Sequence, residues 1–175
     1  MFLNTVERAR HGNHEAFDLL AEEHAPGLYR LAVLLAGADA APDITQETLL
    51  RAWRELPRLR DTGKFPQWIR RILVNACRDH GRAERRRPTS TASVTHLEFR
   101  SNAEDLRQAE VRHDLVLELR RLSPEQRAVV ALHYALDLPI REVAESLGIP
   151  VGTAKSRLNS ALVALRHRRS EVGNA

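Results

Sequence analysis

With one cysteine, Cys77, the chain has no disulfide to staple it, and without a second thiol nearby its eight histidines form no recognisable zinc pattern. It also lacks an apolar run long enough to span a bilayer, and its N-terminus, MFLNTVERARHGNHEAF, turns polar within a few residues, so no signal peptide is read there. These absences place the chain in the cytoplasm with no membrane insertion. Strand-like alternation is nearly absent. No Ser, His and Asp arrangement, phosphate loop or metal-ligand spacing argues for an enzyme, so no catalytic residue, metal or cofactor is expected.

What is present is helical periodicity. Hydrophobic residues make up 43% of the 175, a globular proportion, and apolar positions recur at three and four almost throughout. The fold class is therefore all-α. Helices are expected over about His14–Ala36, kinked or interrupted near Pro26, from Pro42-Asp43 to before Pro57, and from Phe65-Pro66 to Pro88. The stretch PTSTASVTHLEFRSN is rich in Ser and Thr and reads as a flexible linker. It divides residues 1–87 from 103–175, with 88–102 between, into two small helical domains that need not pack tightly on each other. Ser123-Pro124-Glu125-Gln126 carries capping-box chemistry for a helix in the second of them, and SEVGNA after Arg169 reads as a disordered tail.

The densest signal is Leu138–Leu162, LPIREVAESLGIPVGTAKSRLNSAL. Pro139 suits a first helical position, Gly148 a left-handed C-cap, and Ile149-Pro150 a turn into a second helix. In that helix Val151, Ala154, Leu158, Ala161 and Leu165 are expected to be buried, leaving Lys155, Ser156, Asn159 and Ser160 on a short-chained, cationic face that fits a major groove. The alternative is an ordinary helical hairpin with a solvated polar face.

Charge alternates along the chain. Lys and Arg less Asp and Glu gives 3 − 8 = −5 for residues 1–50, 12 − 4 = +8 for 51–87, 7 − 10 = −3 for 88–149, and 5 − 1 = +4 for 150–175. Two basic blocks suggest two places where a polyanion is held. Within the first, Trp68, Arg71, Asn75, Arg78 and Arg82 make one stripe, an aromatic above cations, of the kind that stacks on unpaired bases and tracks phosphates. Membership of the core for Phe65 and Trp68, with arginines that merely solvate the helix, is the plainer reading. In the helix after Pro42, Leu49, Ala52, Trp53 and Leu56 are expected to be buried, leaving Asp43, Gln46, Glu47 and Leu50 as a mixed face suited to a protein partner. Cys77 is expected to be buried with Ile69, Leu73 and Ala76.

These segments together resemble bacterial RNA polymerase sigma factors of the extracytoplasmic-function class, and the resemblance covers most of the chain. It rests on Asp43-Ile44-Thr45-Gln46-Glu47 with Arg51-Ala52-Trp53, on Phe65 to Ile72 with Asn75 and Asp79, on Leu122 to Arg127, and on Ile140 to Ala144 with Pro150 to Leu158. The resemblance implies that 1–87 is region two and 103–175 is region four. It implies core polymerase as partner, through the beta-prime clamp and the beta flap, with Asp43, Gln46, Glu47 and Leu50 at the clamp. It gives capture and melting of the minus-ten element to the loop Arg60–Phe65, including Arg60, Lys64 and Phe65, with Trp68, Asn75, Arg71, Arg78 and Arg82. Thr153, Lys155, Ser156, Arg157, Asn159 and Ser160 would meet the minus-thirty-five element, although the family often has arginine where this chain has Ser160. An anti-sigma factor is also expected from the resemblance. From the residues alone, an operator-binding regulator and a protein-interaction adaptor remain open, the first lacking a visible dimerisation surface and the second a use for the basic blocks.

Overall fold

The computed structural model describes residues 2–86 and 116–172, with side chains as far as Arg166. Helices α1 (Phe2–Arg10), α2 (His14–Ala36), α3 (Ala41–Glu55) and α4 (Phe65–Arg86) build the N-terminal module. Two short 3₁₀ turns, Leu56–Arg58 and Thr62–Lys64, carry the chain from α3 to α4. Residues 116–120 are helical, and α5 (Pro124–Val130) continues into a π-helical turn at Ala131–Ala135 before α6 (Ile140–Leu147) and α7 (Val151–Val172). No strand occurs among the described residues. The expected linker, 88–102, lies outside them, as do residues 103–115 of the expected second domain.

Local chemistry accounts for the boundaries. Asn13 caps α2 by accepting from the Ala16 N–H at 2.8 Å, and Gly37 closes it at φ 101° with its N–H on Val33 O at 2.9 Å. Helix α2 runs on through Pro26, where a kink or an interruption was expected; Leu28, Leu31 and Ala32, all buried, hold its second half on the core. Ser123 and Gln126 form the reciprocal capping box at the start of α5.

Several sequence expectations are corrected. Helix α1 was not foreseen, because only Val6 and Ala9 of its nine residues are fully buried and the rest is polar enough to read as a tail. In α3 the buried positions are Ala41, Ile44, Thr45, Thr48 and Ala52, while Leu49 and Trp53 are only half-buried. Thr45 and Thr48 are tolerated inside because each hydroxyl donates back to the carbonyl four residues earlier, at 2.7 Å. Pro139 is the N-cap of α6 rather than its first residue. In α7 Ala154 and Ala161 are buried but Val151, the first residue of the helix, is 37% exposed. Helix α7 also runs three residues past Arg169, into the expected tail, while 173–175 lie outside the described residues.

The two modules share a core. One continuous apolar cluster joins Leu20, Leu31, Phe65, Ile69, Leu73 and Cys77 to Ala128, Val129, Leu132, Val143 and Leu147. A smaller cluster of Leu119, Leu122, Val130 and Ala161 lies inside the C-terminal module, with Leu34 of α2 packed against it. Helix α4 packs on α6, and α2 packs on α5 and its π turn. Burial of this kind is worth about 1.5–3 kcal/mol per fully buried large apolar side chain.

Candidate protein and nucleic-acid interfaces

The acidic face on α3 forms because Ile44, Thr48 and Ala52 turn inward and leave the opposite arc outside. Asp43, Gln46 and Leu50 are exposed and Glu47 is half-buried, so the four residues share one accessible strip. Leu50 is 45% exposed, a large apolar side chain left in water beside carboxylates. Glu47 is held by Arg51, whose Nε donates to Oε1 at 2.6 Å and whose own pKa rises chiefly through that bond. A leucine ringed by acid and amide is chemistry for a protein surface.

Helix α4 presents a second surface. Phe65, Ile69, Leu73, Val74, Ala76 and Cys77 are buried, which leaves Trp68, Arg71, Asn75, Arg78 and Arg82 together along the other side. Arg71, Asn75 and Arg82 are exposed, while Trp68 and Arg78 are half-buried. The cations are only loosely occupied: Arg78 reaches Asn75 Oδ1 at 3.4 Å and Arg82 reaches Asp79 at 3.6 Å. Exposed ion pairs of this sort contribute little, so the stripe is free to exchange its partners for phosphate. Ahead of it, Asp61 accepts from the Gly63 N–H at 3.0 Å and shapes a loop on which Arg60 and Lys64 are exposed.

Phe65 departs from its expected place among the DNA contacts. It is 0% exposed, its ring 5.4 Å from His24, 5.8 Å from Trp68 and 6.4 Å from Phe2, centroid to centroid. It therefore backs Trp68 rather than meeting a base. His24, on the other side of that ring, has its pKa lowered by burial and, more weakly, by Arg70, against an upward pull from Glu23.

The third surface lies on α7. Gly148 closes α6 in the left-handed conformation, φ 64° and ψ 37°, its N–H directed to Ala144 O and Glu145 O, and Pro150 then leads into α7. Lys155, Ser156, Asn159 and Ser160 are exposed, and Thr153 and Arg157 are half-buried on the flanks. Ser156 Oγ donates to Thr153 O at 3.0 Å, a local bond that a base edge could replace. The geometry is that of a helix-turn-helix with an open, polar second helix.

Cys77 is buried where expected, and burial pushes its thiol pKa up to about 12, which makes it inert as a nucleophile. Among the described residues no group of three or more His, Cys, Asp or Glu side chains could hold a metal ion, and no helix is long and apolar enough to cross a membrane. What the sequence reading missed lies between the modules. Arg127 donates to Leu35 O at 2.9 Å across the junction, and also to Leu119 O, Arg120 O and Leu122 O. The one available signal was that α2 carries no basic residue in its last turn.

Comparison with known proteins agrees with this arrangement. Residues 20–87 match the Sigma-70 region 2 family and residues 112–165 match Sigma-70 region 4. The chain is 35% identical over 157 residues to the ECF RNA polymerase sigma factor SigL of Mycobacterium tuberculosis, covering 88% of this chain and 89% of that one. It is 29% identical over 174 residues to the ECF RNA polymerase sigma-E factor of Escherichia coli K12, covering 93% and 91%. Two solved structures share the fold at 23% identity: CnrH in complex with the cytosolic domain of CnrY, TM-score 0.74 over 97% of each chain, and the Bartonella quintana sigma factor RpoE in complex with the anti-sigma factor NepR, TM-score 0.68 over 86% of this chain and 94% of that one. The chain belongs to the extracytoplasmic-function sigma factors, the non-catalytic subunits that direct bacterial RNA polymerase to promoters.

Proposed function

We propose that the three exposed surfaces divide the work of initiation among named residues. Asp43, Gln46, Glu47 and Leu50 meet core polymerase at its beta-prime clamp. Arg60, Lys64, Trp68, Arg71, Asn75, Arg78 and Arg82 take the minus-ten element, with Phe65 acting from behind as support for Trp68. Flipping a base out of the duplex costs a few kcal/mol, so a site that accepts one base shape couples melting to selection. Thr153, Lys155, Ser156, Arg157, Asn159 and Ser160 read the minus-thirty-five element, Lys155 and Arg157 supplying the phosphate attraction. Residues 1–87 are then region two and 103–175 region four, and the protein works in the cytoplasm without catalytic chemistry of its own.

The observation that carries this reading is the pairing of an aromatic-headed cationic stripe on α4 with a separate polar recognition helix α7, both open to solvent. An operator-binding regulator would have no use for the first. One structural neighbour is described in complex with the cytosolic domain of CnrY and the other with the anti-sigma factor NepR, and an anti-sigma partner is expected for this chain. Run-off transcription with purified core polymerase over a promoter library tests the whole reading. Transcripts that start at a defined promoter class only when this protein is added are expected; none on any promoter would overturn it.

A further inference from the structure

The loop that leads into the α4 stripe is held from outside itself. Between α3 and α4 the chain makes two 3₁₀ turns, Leu56–Arg58 and Thr62–Lys64, with Leu59, Arg60 and Asp61 in neither. Three local bonds shape it: Leu59 N–H to Leu56 O at 3.0 Å, Gly63 N–H to the Asp61 carboxylate at 3.0 Å, and Lys64 N–H to Asp61 O at 3.1 Å. Each bond closes one turn, and none ties the first turn to the second. Helix α1 packs on both turns. Arg10 Nη1 donates to Leu59 O, between the turns, at 3.2 Å, and the same half-buried guanidinium is paired through Nη2 with Glu7 one helical turn earlier, which sets its direction. Leu3, 56% exposed, lies over Gly63, where an added Cβ would stand 3.9 Å from Leu3 Cδ2. Phe2 meets His24 and Phe65 edge-on, with centroids 6.0 Å and 6.4 Å away, and Phe65 in turn backs Trp68 at 5.8 Å. Val6 and Ala9 anchor α1 on the core, which leaves Phe2, Leu3 and Arg10 directed at the loop and the ring stack. All of α1 lies outside the stretch 20–87 that matches region 2.

We propose that α1 is a positioning element for minus-ten recognition, in which Arg10 holds the Leu56–Phe65 loop and Phe2 holds the ring stack behind Trp68, so that the site accepts one base shape. The inference rests on the assignment of Arg60, Lys64 and Trp68 to the minus-ten element above. Neither Arg10 nor Phe2 touches DNA in this scheme. Attraction of phosphate tolerates a loosely placed cation, because a charge acts over ~8 Å at physiological salt. Shape selection does not tolerate it, since a recognition group displaced by ~1 Å can lose about a hundredfold in effect. Loss of the support therefore costs choice of base before it costs grip on the strand.

Two readouts on the full chain test this, for the parent, Arg10→Ala, Phe2→Ala, Phe2→Tyr and, as the reference for a lost site, Trp68→Ala. The first is amide hydrogen exchange of the segment 59–64 in the free protein, which involves neither DNA nor polymerase. Arg10→Ala is expected to speed it several-fold, with the far-UV helical signal kept because Val6 and Ala9 are untouched. The second is run-off transcription by holoenzyme on promoters randomised across the minus-ten element. The parent should prefer its best base at one position by about tenfold, the scale of a single base mismatch. Arg10→Ala and Phe2→Ala should bring that preference to within about threefold while affinity for core polymerase stays at the parent value, and Phe2→Tyr, which keeps a ring, should retain it. Unchanged exchange in Arg10→Ala, or faster exchange with the parent's base preference intact, overturns the proposal. So does loss of helical signal or of polymerase affinity in both alanine variants, which would make α1 a part of the core and nothing more. Trp68→Ala that keeps the parent's preference instead overturns the surface assignment, and the exchange result then still reports whether α1 holds the loop.

Discussion

The two modules reach stability by different routes. The N-terminal one has four helices around a core that holds Val6, Leu20, Leu31, Leu56, Phe65 and Leu73, each no more than 1% exposed. Among the described residues the C-terminal one has a small cluster of Leu119, Leu122, Val130 and Ala161, against which Leu34 of α2 also packs, and Ala128, Val129, Leu132, Val143 and Leu147 belong to the core of the other module. A recognition helix that buries little more than Ala154 and Ala161 keeps most of its surface for a ligand. The difference teaches that a small reading head can be ordered by leaning on a larger neighbour, which makes its independence conditional.

The sharpest way to break that comparison is to cut one buried leucine in each module. Leu20→Ala and Leu132→Ala should each cost about 2–5 kcal/mol. Both tryptophans, Trp53 and Trp68, are in the N-terminal module, so their fluorescence follows that part while far-UV circular dichroism follows both. In denaturant, Leu132→Ala should lose circular dichroism before fluorescence, whereas Leu20→Ala should lose the two together. Coincident transitions in Leu132→Ala would mean the modules are energetically one.

A smaller effect, about 1 kcal/mol, is expected from Ser123→Ala, which removes the side chain that caps α5 at 3.2 Å on Gln126 N. It should lower the circular dichroism midpoint alone. A shift of the fluorescence midpoint by the same amount would move α5 into the N-terminal cooperative unit.

The smallest expected effect depends on pH. Burial lowers the His24 pKa below its usual value near 6.5, so the unfolded chain takes up a proton that the folded chain resists. The stability linked to His24 is fully present above that value and is lost as pH falls through it towards the lower folded pKa. His24→Gln should flatten the dependence of the denaturation midpoint on pH below about 6.5. An unchanged slope would mean another group titrates there.

Much of this was legible in the sequence because it depends on local chemistry. Asn13, Gly37, Ser123 with Gln126, and Gly148 mark helix ends by side-chain and backbone rules that act within a few residues. The exposed faces of α3, α4 and α7 followed from helical spacing alone. The misses are non-local or marginal. Helix α1 buries too few residues to show a period, and Phe65 follows a loop and precedes a cationic helix, a context that gives no sign of the Phe2, His24 and Trp68 rings around it. Arg127 and Leu35 are 92 residues apart, and a guanidinium that meets backbone carbonyls leaves no trace in side-chain pattern.

The claim that the surfaces are separate is tested most directly by a double dissociation. Affinity for core polymerase and for upstream promoter duplex would be measured for the parent chain, for Lys155→Ala with Arg157→Ala, and for Gln46→Ala with Glu47→Ala. The first pair should weaken duplex binding more than tenfold, reduce its dependence on salt by about two in slope, and leave polymerase binding nearly intact. The second pair should do the reverse. Parallel loss of both affinities in either variant would contradict the account.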